Sequence, residues 1–427
     1  MKLTDEEKHM LDGKEGPAVQ KAMDLLVRYG EALGAERLIQ TNNVSTTVVA
    51  SSPLMREYAT KYGFDATFSE FNLDSQEVVN IPMVKTHSCQ LITGTDAKHW
   101  ETIGISQERV EFTKKEEVYN SQLGIQLMST CAPYQVGNIP VKGEHCAWME
   151  SSAVVYINSI LGARSNVEGR ESTGAAMLTG RIPYWGYHLD ENRLGTDLIE
   201  IEWNVESMTD WGLLGYYVGE IVGERIPVLN GIKLAPNSSR VKHFGAAAAS
   251  SGGVEMYHIP GFTADANSIE DAFGKKKPLY NLKFGKEERQ WAYDQLNSSA
   301  KDTDVDFIML GCPHASIEQI WEICKLLEGK KINSCTHLWI FTPRAIRQLA
   351  DRNGYTKIIS DAGGYLMSDS CPALGQMLPK GTKVVATDSA KQAHYLPSIM
   401  GVQTWFGSLE DCINAAITGK WGGEIYA

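Results

Sequence analysis

The chain has 427 residues, of which 43% are hydrophobic and 22% charged, a balance typical of a folded globular protein and not of a disordered, fibrous or disulfide-knotted one. At about 150 residues per domain, this length predicts two or three domains. The 40 basic and 52 acidic residues give a net charge of -12. This charge argues against a nucleic acid partner, because a surface that binds a phosphate backbone has to be basic.

The N-terminus and the cysteines indicate where the protein works. Residues 1–8 are acidic and lack the basic start and apolar core of a signal peptide, and no run of about 18 apolar residues follows. We therefore expect a cytoplasmic protein without a membrane partner. In that compartment, the eight cysteines are expected to be reduced thiols or metal ligands rather than disulfides.

The first two thirds of the chain read as mixed α/β. Thr4 and Glu7 form a capping-box pattern at the start of one helix, and a second helix is expected after Pro17. Strands are predicted at residues 37–40, 45–50 and 124–128. Residues 146–164 carry small or apolar side chains on nearly every face, which predicts a buried helix. The small residues of 246–253 predict that two backbones approach each other closely there.

The last third of the chain alternates strand-like runs with helix-like ones. Strands are predicted at residues 305–310, 336–341, 356–360 and 383–387, and Ser316 with Gln319 forms a capping-box pattern between the first two. This alternation predicts a parallel, Rossmann-like sheet. The lysine-rich segment 274–278 suggests a boundary. We therefore expect a mixed α/β region over residues 1–280 and a Rossmann-like domain over residues 281–427.

Three cysteines follow predicted strands. In open parallel sheets, ligands bind beyond the carboxyl ends of the strands. Cys131, Cys312 and Cys371 lie in such segments, and proline stands one or two residues after each of them. Backbone N–H groups and helix N-termini at such a place lower the pKa of a thiol and favour a soft metal. The alternative is that each cysteine is a small buried residue, but their recurrence in the same setting favours a metal site. The other five cysteines lie within helix- or strand-like stretches and are expected to be structural.

Polar side chains that could bind or deprotonate a small acid occur at four places. For two of them, residues 87–95 and 188–193, a structural or solvated turn is the alternative, and the group after the last predicted strand could also serve only as a helix cap. Phosphate-loop, dinucleotide-binding, hydrolase and zinc motifs are absent, as is any C-x-x-C. The candidates for acid–base chemistry are Glu150, Ser151, His188, Asp190 and Lys391. The candidates for substrate binding are Ser152, Arg193, Asp388, Ser389, His87 and Thr93.

Several segments together resemble aconitase X, the divergent branch of the aconitase superfamily. They are residues 130–134, 143–164, 188–193, 311–314 and 368–372, which read TCAPY, GEHCAWMESSAVVYINSILGAR, HLDENR, GCPH and SDSCP. The resemblance extends over essentially the whole chain. It implies an aconitase-like, multi-domain α/β architecture and a hydro-lyase whose iron–sulfur centre is held by three cysteines, here Cys131, Cys312 and Cys371.

The resemblance also implies a cofactor and a partner. The C-x-x-C pair of other aconitases is missing, so the cofactor is expected to be a 4Fe–4S cluster, a 2Fe–2S cluster or a single iron. In fused members of the family, a small swivelling domain follows and its serine-rich loop supplies the proton-abstracting residue, whereas in split members this domain is a separate small subunit. The chain fits the split large subunit, without the swivelling domain, and we expect it to be inactive alone.

Members of the family dehydrate either cis-3-hydroxy-L-proline, giving a pyrroline-2-carboxylate, or mevalonate 5-phosphate. We expect the first substrate, because the ordinary share of Asn, Gln, Met and Cys does not indicate a hyperthermophile. A phosphorylated substrate would need additional basic groups, for which the candidates are Arg164, Arg193, Arg240, Lys242 and Lys391. The alternatives from other classes are a non-enzymatic α/β subunit that binds a small carboxylate and a lyase without a cofactor.

Overall fold

The computed structural model describes residues 1–47, 53–68, 72, 77–92, 95–375 and 377–425. Its strands form one antiparallel pair and three wholly parallel sheets within these residues. The predicted α/β class with parallel sheets is therefore confirmed. Within the same residues, we find no helix that is both long and apolar enough to span a bilayer.

The N-terminal region packs two small sheets against helices. Its strands are β1 (Leu38–Gln40), β2 (Asn43–Thr46), β3 (His87–Gln90), β4 (Cys146–Trp148) and β5 (Arg181–Pro183), and its helices are α1 (Asp5–Leu11), α2 (Pro17–Ala32), α3 (Pro53–Tyr62), α4 (Gln107–Gln122), α5 (Ser151–Tyr156) and α6 (Arg170–Thr179). β2 lies between β3 and β4 and is parallel to both, while β1 pairs antiparallel with β5. The predicted capping box of Thr4 and Glu7 is present at the start of α1.

Three predictions for this region need correction or completion. Residues 124–128 form no strand, and only Gln126 makes a bridge, to Cys89. The predicted helix over 146–164 begins instead as β4, becomes helical at Ser151 and ends in a π-helical turn, Ile157–Leu161. A segment buried on all sides has no periodicity that separates strand from helix, so its first residues follow the pairing with β2. Of the predicted strand 45–50, residues 48–50 lie outside the described part of the chain.

The middle region contains a small parallel sheet and two closely packed helices. Its strands are β6 (Asp197–Ile201), β7 (Pro227–Asn230) and β8 (Tyr280–Phe284), and its helices are α7 (Met208–Val222), α8 (Ser238–Gly252), α9 (Ile269–Phe273) and α10 (Lys286–Leu296). β6 lies between β7 and β8. The buried faces of α7 and α8 form one core around Trp211 and Phe244.

Glycines allow α7 and α8 to touch through their backbones. A Cβ atom on Gly215 would lie 2.4 Å from the carbonyl oxygen of Phe244, and a Cβ atom on Gly252 would lie 1.9 Å from the carbonyl oxygen of Gly219. No side chain fits at either position without displacing the partner helix. The close approach predicted for residues 246–253 is confirmed.

The C-terminal region is a five-stranded parallel sheet with helices on both faces. Its strands are β9 (Phe307–Leu310), β10 (His337–Thr342), β11 (Tyr365–Ser368), β12 (Val384–Thr387) and β13 (Gln403–Phe406), and its helices are α11 (Ile317–Leu327), α12 (Arg344–Arg352), α13 (Tyr355–Ala362), α14 (Pro372–Gly375), α15 (Ala390–Met400) and α16 (Leu409–Thr418). The strand order is β11-β10-β9-β12-β13. The predicted Rossmann-like sheet is confirmed.

Both faces of this sheet are buried. In β9, Phe307 and Met309 belong to one core cluster and Ile308 and Leu310 to the other, because successive side chains of a strand point to opposite faces. This double burial explains the uninterrupted apolar run in the sequence. The strand order reverses between β9 and β12, and in open α/β sheets such a reversal opens a ligand-binding crevice at the carboxyl ends of the strands.

One strand of the sheet was assigned wrongly. Residues 356–360 lie in α13, which buries Ile359 on one face and ends at Gly363, and the strand is β11. A short segment with a few apolar residues can be either a helix with one buried face or a strand. Because β11 ends at Ser368, three residues before Cys371, that cysteine still follows a strand.

We expect Gly215→Ala to destabilise the protein, although alanine is the better helix former. The added methyl group would overlap with the backbone of Phe244, and overpacking typically costs about 1–3 kcal/mol, against about 1 kcal/mol gained in helix propensity. Urea denaturation should therefore show a lower free energy of unfolding. The matched control is Gly212→Ala on the same helix, whose Cβ would lie 3.4 Å from that of Ala390. Equal stability of the two variants would contradict this account of the packing.

Candidate functional site

Three loops bring Cys131, Cys312 and Cys371 together at the crevice of the C-terminal sheet. Cys312 lies two residues beyond the end of β9, Cys371 lies three residues beyond the end of β11, and Cys131 comes from the N-terminal region. The charge of Cys312 acts on both of the other thiols. The three cysteines that the sequence singled out therefore form one group, although 240 positions separate the first from the last.

The N-terminal end of α15 faces Cys312. The side-chain amide of Gln392 donates a hydrogen bond to Cys312 Sγ at 2.9 Å. The hydroxyl of Ser389, which also caps α15, hydrogen-bonds to the same sulfur. The N-terminal end of α15 thus supplies two hydrogen bonds to the sulfur of the loop after β9.

Backbone N–H groups point at the other two sulfur atoms. The N–H of His314 donates to Cys131 Sγ at 3.4 Å, and N–H groups at the start of α14 donate to Cys371. Burial nevertheless raises the pKa of all three thiols, to about 12 for Cys371. The expectation of lowered thiol pKa values was wrong, because burial destabilises the thiolate more than the hydrogen bonds from these donors stabilise it. Thiols in such a place lose their protons when a metal ion replaces them.

A half-buried ion pair lies beside the sulfur atoms. Lys391 Nζ donates to Glu150 Oε1 at 2.8 Å, and the hydroxyl of Ser152 donates to the same oxygen at 2.9 Å. Burial disfavours the charged form of both groups. Lys391 nevertheless holds the pKa of Glu150 below its usual value, and Glu150 together with Cys312 raises the pKa of Lys391. Both groups are therefore charged at neutral pH. Of the predicted residues, Glu150, Ser152, Ser389 and Lys391 thus lie with the cysteines.

His314 connects the three cysteine loops. Its Nδ1 lies 3.0 Å from Thr130 Oγ1 and its Nε2 lies 3.0 Å from the carbonyl oxygen of Ser370. These two residues directly precede two of the cysteines, and His314 follows the third by two positions. A carbonyl only accepts, so Nε2 carries the proton and Nδ1 accepts from the threonine hydroxyl. Burial lowers the pKa of His314 to about 4, which keeps the ring neutral as this arrangement requires.

Lys242, on α8, lies buried behind His314. Its Nζ donates to the carbonyl oxygen of His314 at 2.9 Å, to Gln319 Oε1 at 2.6 Å and to Gln135 Oε1 at 3.3 Å. Burial lowers the pKa of Lys242 to about 8, and the charge of Cys131 acts in the opposite direction. This single ammonium group joins the N-terminal, middle and C-terminal regions at the site.

Three other predicted site residues lie in a separate polar group. His188 is buried, Asp190 is 84% exposed and pairs with Arg164, and Arg193 forms a 2.7 Å ion pair with Asp265. Their described hydrogen bonds and ion pairs reach neither the cysteines nor Lys391. The role predicted for the segment 188–193 in the pocket stays a prediction.

The remaining predicted residues are scattered. His87 is exposed at the start of β3, the end of a parallel strand that is opposite to the ligand-binding end. Asp388 lines a small cavity with Glu322, and burial raises its pKa to about 7. Ser151 is half-buried at the start of α5, next to Glu150. Thr93 lies outside the residues that the structure describes.

The sequence analysis assigned no role to His314 or Gln392 and considered Lys242 only for a phosphate. Two of the three carried a signal. His314 stands in the same segment as Cys312, and Gln392 stands three residues after Ser389, the N3 position of a capped helix. No sequence pattern shows that a lysine such as Lys242 is buried.

Models of one family match the chain in three consecutive parts. Aconitase X first domain matches residues 1–191, aconitase X second domain matches residues 195–294, and aconitase X third domain matches residues 305–418. These ranges follow the three regions of the fold. The division near residue 280 that the sequence suggested stays a prediction.

Known proteins resemble the chain over nearly its full length. The phosphomevalonate dehydratase large subunit of Methanocaldococcus jannaschii is 37% identical, over 97% of this chain and 99% of that protein. The cis-3-hydroxy-L-proline dehydratase of Hypocrea jecorina is 31% identical, over 98% of this chain but 69% of that protein. The crystal structure of Thermococcus kodakaraensis aconitase X (holo-form) matches with a TM-score of 0.83 and a sequence identity of 31%. The match covers 97% of this chain and 100% of that one. The resemblance seen in the sequence is confirmed.

We expect His314→Ala to destabilise the protein even when it is prepared without metal. The change leaves the hydroxyl of Thr130 and the carbonyl of Ser370 without their buried partner, at about 1–3 kcal/mol for each unsatisfied group. Urea denaturation measures the loss. His337→Ala is the control, because His337 is exposed at the start of β10. If both variants kept the wild-type stability, His314 would not hold the loops together.

His188 allows a pH test of the separate polar group. Burial lowers its pKa to about 3. The unfolded chain, with a histidine pKa of about 6.5, then binds more protons, so the stability contributed by His188 is complete above about pH 6.5 and is lost as the pH falls. We expect the stability difference between wild type and His188→Gln to decrease by up to about 1.4 kcal/mol for each pH unit below 6.5. Urea denaturation at several pH values measures it, and a constant difference would contradict the lowered pKa.

Proposed function

The chain belongs to the aconitase X family and is a hydro-lyase, and we propose that it removes water from mevalonate 5-phosphate as the large subunit of a two-subunit enzyme. The observation that carries this proposal is the group formed by Cys131, Cys312 and Cys371 beside the ion pair of Lys391 and Glu150. The choice of substrate is supported by the higher identity and the near-complete coverage of the relative named phosphomevalonate dehydratase large subunit.

We further propose an iron–sulfur cluster at the three cysteines, and their surroundings fit one. Thiolates are the usual ligands of such clusters, and Lys391 and Lys242 offer positive charge close by. When bound, the cluster supplies a Lewis-acidic iron for the leaving hydroxyl group.

Lys391 and Glu150 are the protein groups that we assign to the reaction. The ammonium of Lys391 is charged and half-buried, so it can bind the substrate carboxylate or the negative charge that develops on the leaving oxygen. Glu150 holds Lys391 in that position, and Ser152 orients the carboxylate of Glu150. Ser389 and Gln392 act through the sulfur of Cys312 and are positioning residues. Abstraction of the carbon-bound proton is assigned to the partner subunit.

A small swivelling-domain subunit is therefore part of the proposal. The relative from Methanocaldococcus jannaschii is named a large subunit, and the match covers 99% of it. The relative from Hypocrea jecorina has further sequence, because the match covers 69% of its length. That additional part is what a separate subunit would supply, and we expect this chain to show no turnover without it.

The second candidate substrate is cis-3-hydroxy-L-proline, which the sequence analysis favoured. A relative with 31% identity is named for this activity. Both substrates carry a carboxylate and a leaving hydroxyl, so the cysteines and Lys391 would serve either of them. They differ at the opposite end, where one has a charged phosphate and the other a small ring.

The function is tested by anaerobic co-expression with a candidate small subunit and by assaying water loss from both substrates side by side. We expect turnover of mevalonate 5-phosphate. Turnover of cis-3-hydroxy-L-proline alone would move the enzyme to the second candidate. No turnover of either, by an enzyme that contains iron and is folded, would refute the substrate proposal.

We expect Cys312→Ser to remove most of the bound iron and to lower activity more than about 10-fold, because a hydroxyl is a poor replacement for a thiolate ligand. Iron and sulfide analysis and the visible absorption of the assembled enzyme measure this loss. Cys335→Ser is the matched control, since Cys335 is an exposed thiol. Equal iron content in the two variants would show that Cys312 is not a ligand.

A further inference from the structure

Cys371 reaches the site on a tight turn that follows β11. Ser368 is the last residue of the strand, and Cys371 comes three residues later. Between them, Asp369 adopts the left-handed conformation with a φ of +55°. A residue other than glycine keeps this conformation only where its surroundings hold it. The position of Cys371 therefore depends on the contacts that fix this turn.

Contacts within the C-terminal region hold the middle of the turn. The backbone N–H of Arg344, at the start of α12, donates to the carboxylate of Asp369 at 2.8 Å, and the guanidinium of Arg344 donates to the same carboxylate. The ring of His314 donates to the carbonyl oxygen of Ser370 at 3.0 Å. These two contacts fix the residues directly before Cys371.

Asp96, from the N-terminal region, holds the strand end at which the turn begins. Its Oδ2 accepts a hydrogen bond from the backbone N–H of Ser368 and a second one, at 3.2 Å, from the hydroxyl of Ser368. Its Oδ1 accepts from the backbone N–H groups of Lys98 at 2.7 Å and His99 at 2.6 Å. The side chain is completely buried. Both oxygen atoms of Asp96 are thus used to join segment 95–99 to the end of β11.

Arg347 balances the charge of Asp96. Its Nη1 lies 3.6 Å from Asp96 Oδ2 and also donates to the carbonyl oxygen of Leu366 in β11. A buried carboxylate is stable when an opposite charge and hydrogen bonds surround it. Burial alone would raise the pKa of Asp96, but the hydrogen bonds from His99 and Ser368 lower this pKa to about 2. The contact with Ser368 is therefore made by a charged oxygen, which strengthens it.

The N-terminal region also contacts the chain after Cys371. Arg109, in the first turn of α4, donates to the carbonyl oxygen of Gly375 at 3.4 Å. The N–H of Gly375 in turn donates to the carbonyl oxygen of Cys371 at 2.8 Å. One region of the chain thus contacts the cysteine loop of another region on both sides of the sulfur.

We propose that Asp96 is a positioning residue, which fixes the strand end from which Cys371 is presented to the iron–sulfur cluster. It acts through Ser368 and not by contact with the sulfur. Through this carboxylate, the N-terminal region controls a sulfur atom of the C-terminal region. The function of Cys371 as a ligand rests on the proposed function, whereas its positioning by Asp96 does not.

The variant Asp96→Asn tests the proposal, because it keeps the size of the side chain and replaces one oxygen by an NH2 group. If the remaining oxygen keeps the N–H groups of Lys98 and His99, the NH2 group faces the N–H of Ser368, and two donors then oppose each other. The strand end should open more often.

The first measurement is the alkylation of each cysteine by N-ethylmaleimide in the folded, metal-free protein, followed peptide by peptide by mass spectrometry. We expect Cys371 to react about 10-fold faster in Asp96→Asn, as the loss of a hydrogen bond to a charged group predicts. The rates of Cys131 and Cys312 should change by less than about 2-fold, because local opening does not release their loops. A general loss of stability would accelerate all three.

The second measurement uses the assembled enzyme loaded with iron. A chelator should remove iron about 10-fold faster from Asp96→Asn than from the wild type, because a ligand with loosened support is lost more easily. Activity per bound iron should stay close to that of the wild type. The matched control is Asp306→Asn, since this carboxylate accepts from the N–H groups of Lys383 and Val384 at the opposite end of the same sheet. The control should leave the alkylation of Cys371 unchanged.

The outcomes separate the positioning from the proposed function. Alkylation of Cys371 at the wild-type rate in Asp96→Asn, or equal acceleration of all three cysteines, would overturn the proposal. Faster alkylation of Cys371 alone, in an enzyme whose iron is lost at the wild-type rate, would support the positioning and refute Cys371 as a ligand.

A milder variant decides the question if Asp96→Asn does not fold. Ser368→Ala removes only the hydrogen bond from the hydroxyl and keeps the one from the backbone N–H. Faster alkylation of Cys371 alone in this variant would support the proposal, and the wild-type rate would overturn it.

Discussion

The meeting of three cysteine sulfur atoms and two ammonium groups in one buried or half-buried site is the constraint on which the rest of the structure depends. Neither a thiolate nor an ammonium is stable in a protein interior without an opposite charge. Groups from all three regions of the chain meet at the site, with Cys131 from the first, Lys242 from the second and Lys391 from the third. Because Lys242 bonds to oxygen atoms of the first and the third region, assembling the site also joins the three regions.

The topology of the C-terminal sheet determines where the site forms. Strand order reverses between β9 and β12, so the loops that follow these two strands diverge and leave a crevice. Cys312 follows β9, and α15 follows β12 with Ser389, Lys391 and Gln392 at its start. The helix cap that begins α15 thus also places two donors on a sulfur and a cation on Glu150. The start of α15 therefore both begins a helix and places side chains at the candidate site.

The sequence predicted the site better than it predicted the segments around it. Cys371 was correctly predicted to follow a strand, although the strand was assigned to residues that form α13. The prediction survived because it used only the order of strand and loop, and not the exact ends of the strand. For the segment 188–193, polar residues beside aromatics are compatible with both a turn and a pocket, and its predicted role stays a prediction. The burial of Lys242 and the bridging by His314 depend on contacts between distant parts of the chain, which no local pattern records.

The two hydrogen bonds of the His314 ring have a consequence for proton traffic. An imidazole relays protons when one nitrogen can take a proton while the other releases one. Here one nitrogen is committed to a carbonyl oxygen and the other to a hydroxyl, and both partners are fixed in the loops of the cysteines. The ring of His314, although it is the imidazole nearest in sequence to Cys312, is therefore not placed to relay a proton, because its Nε2–H points at a carbonyl oxygen that cannot take the proton over.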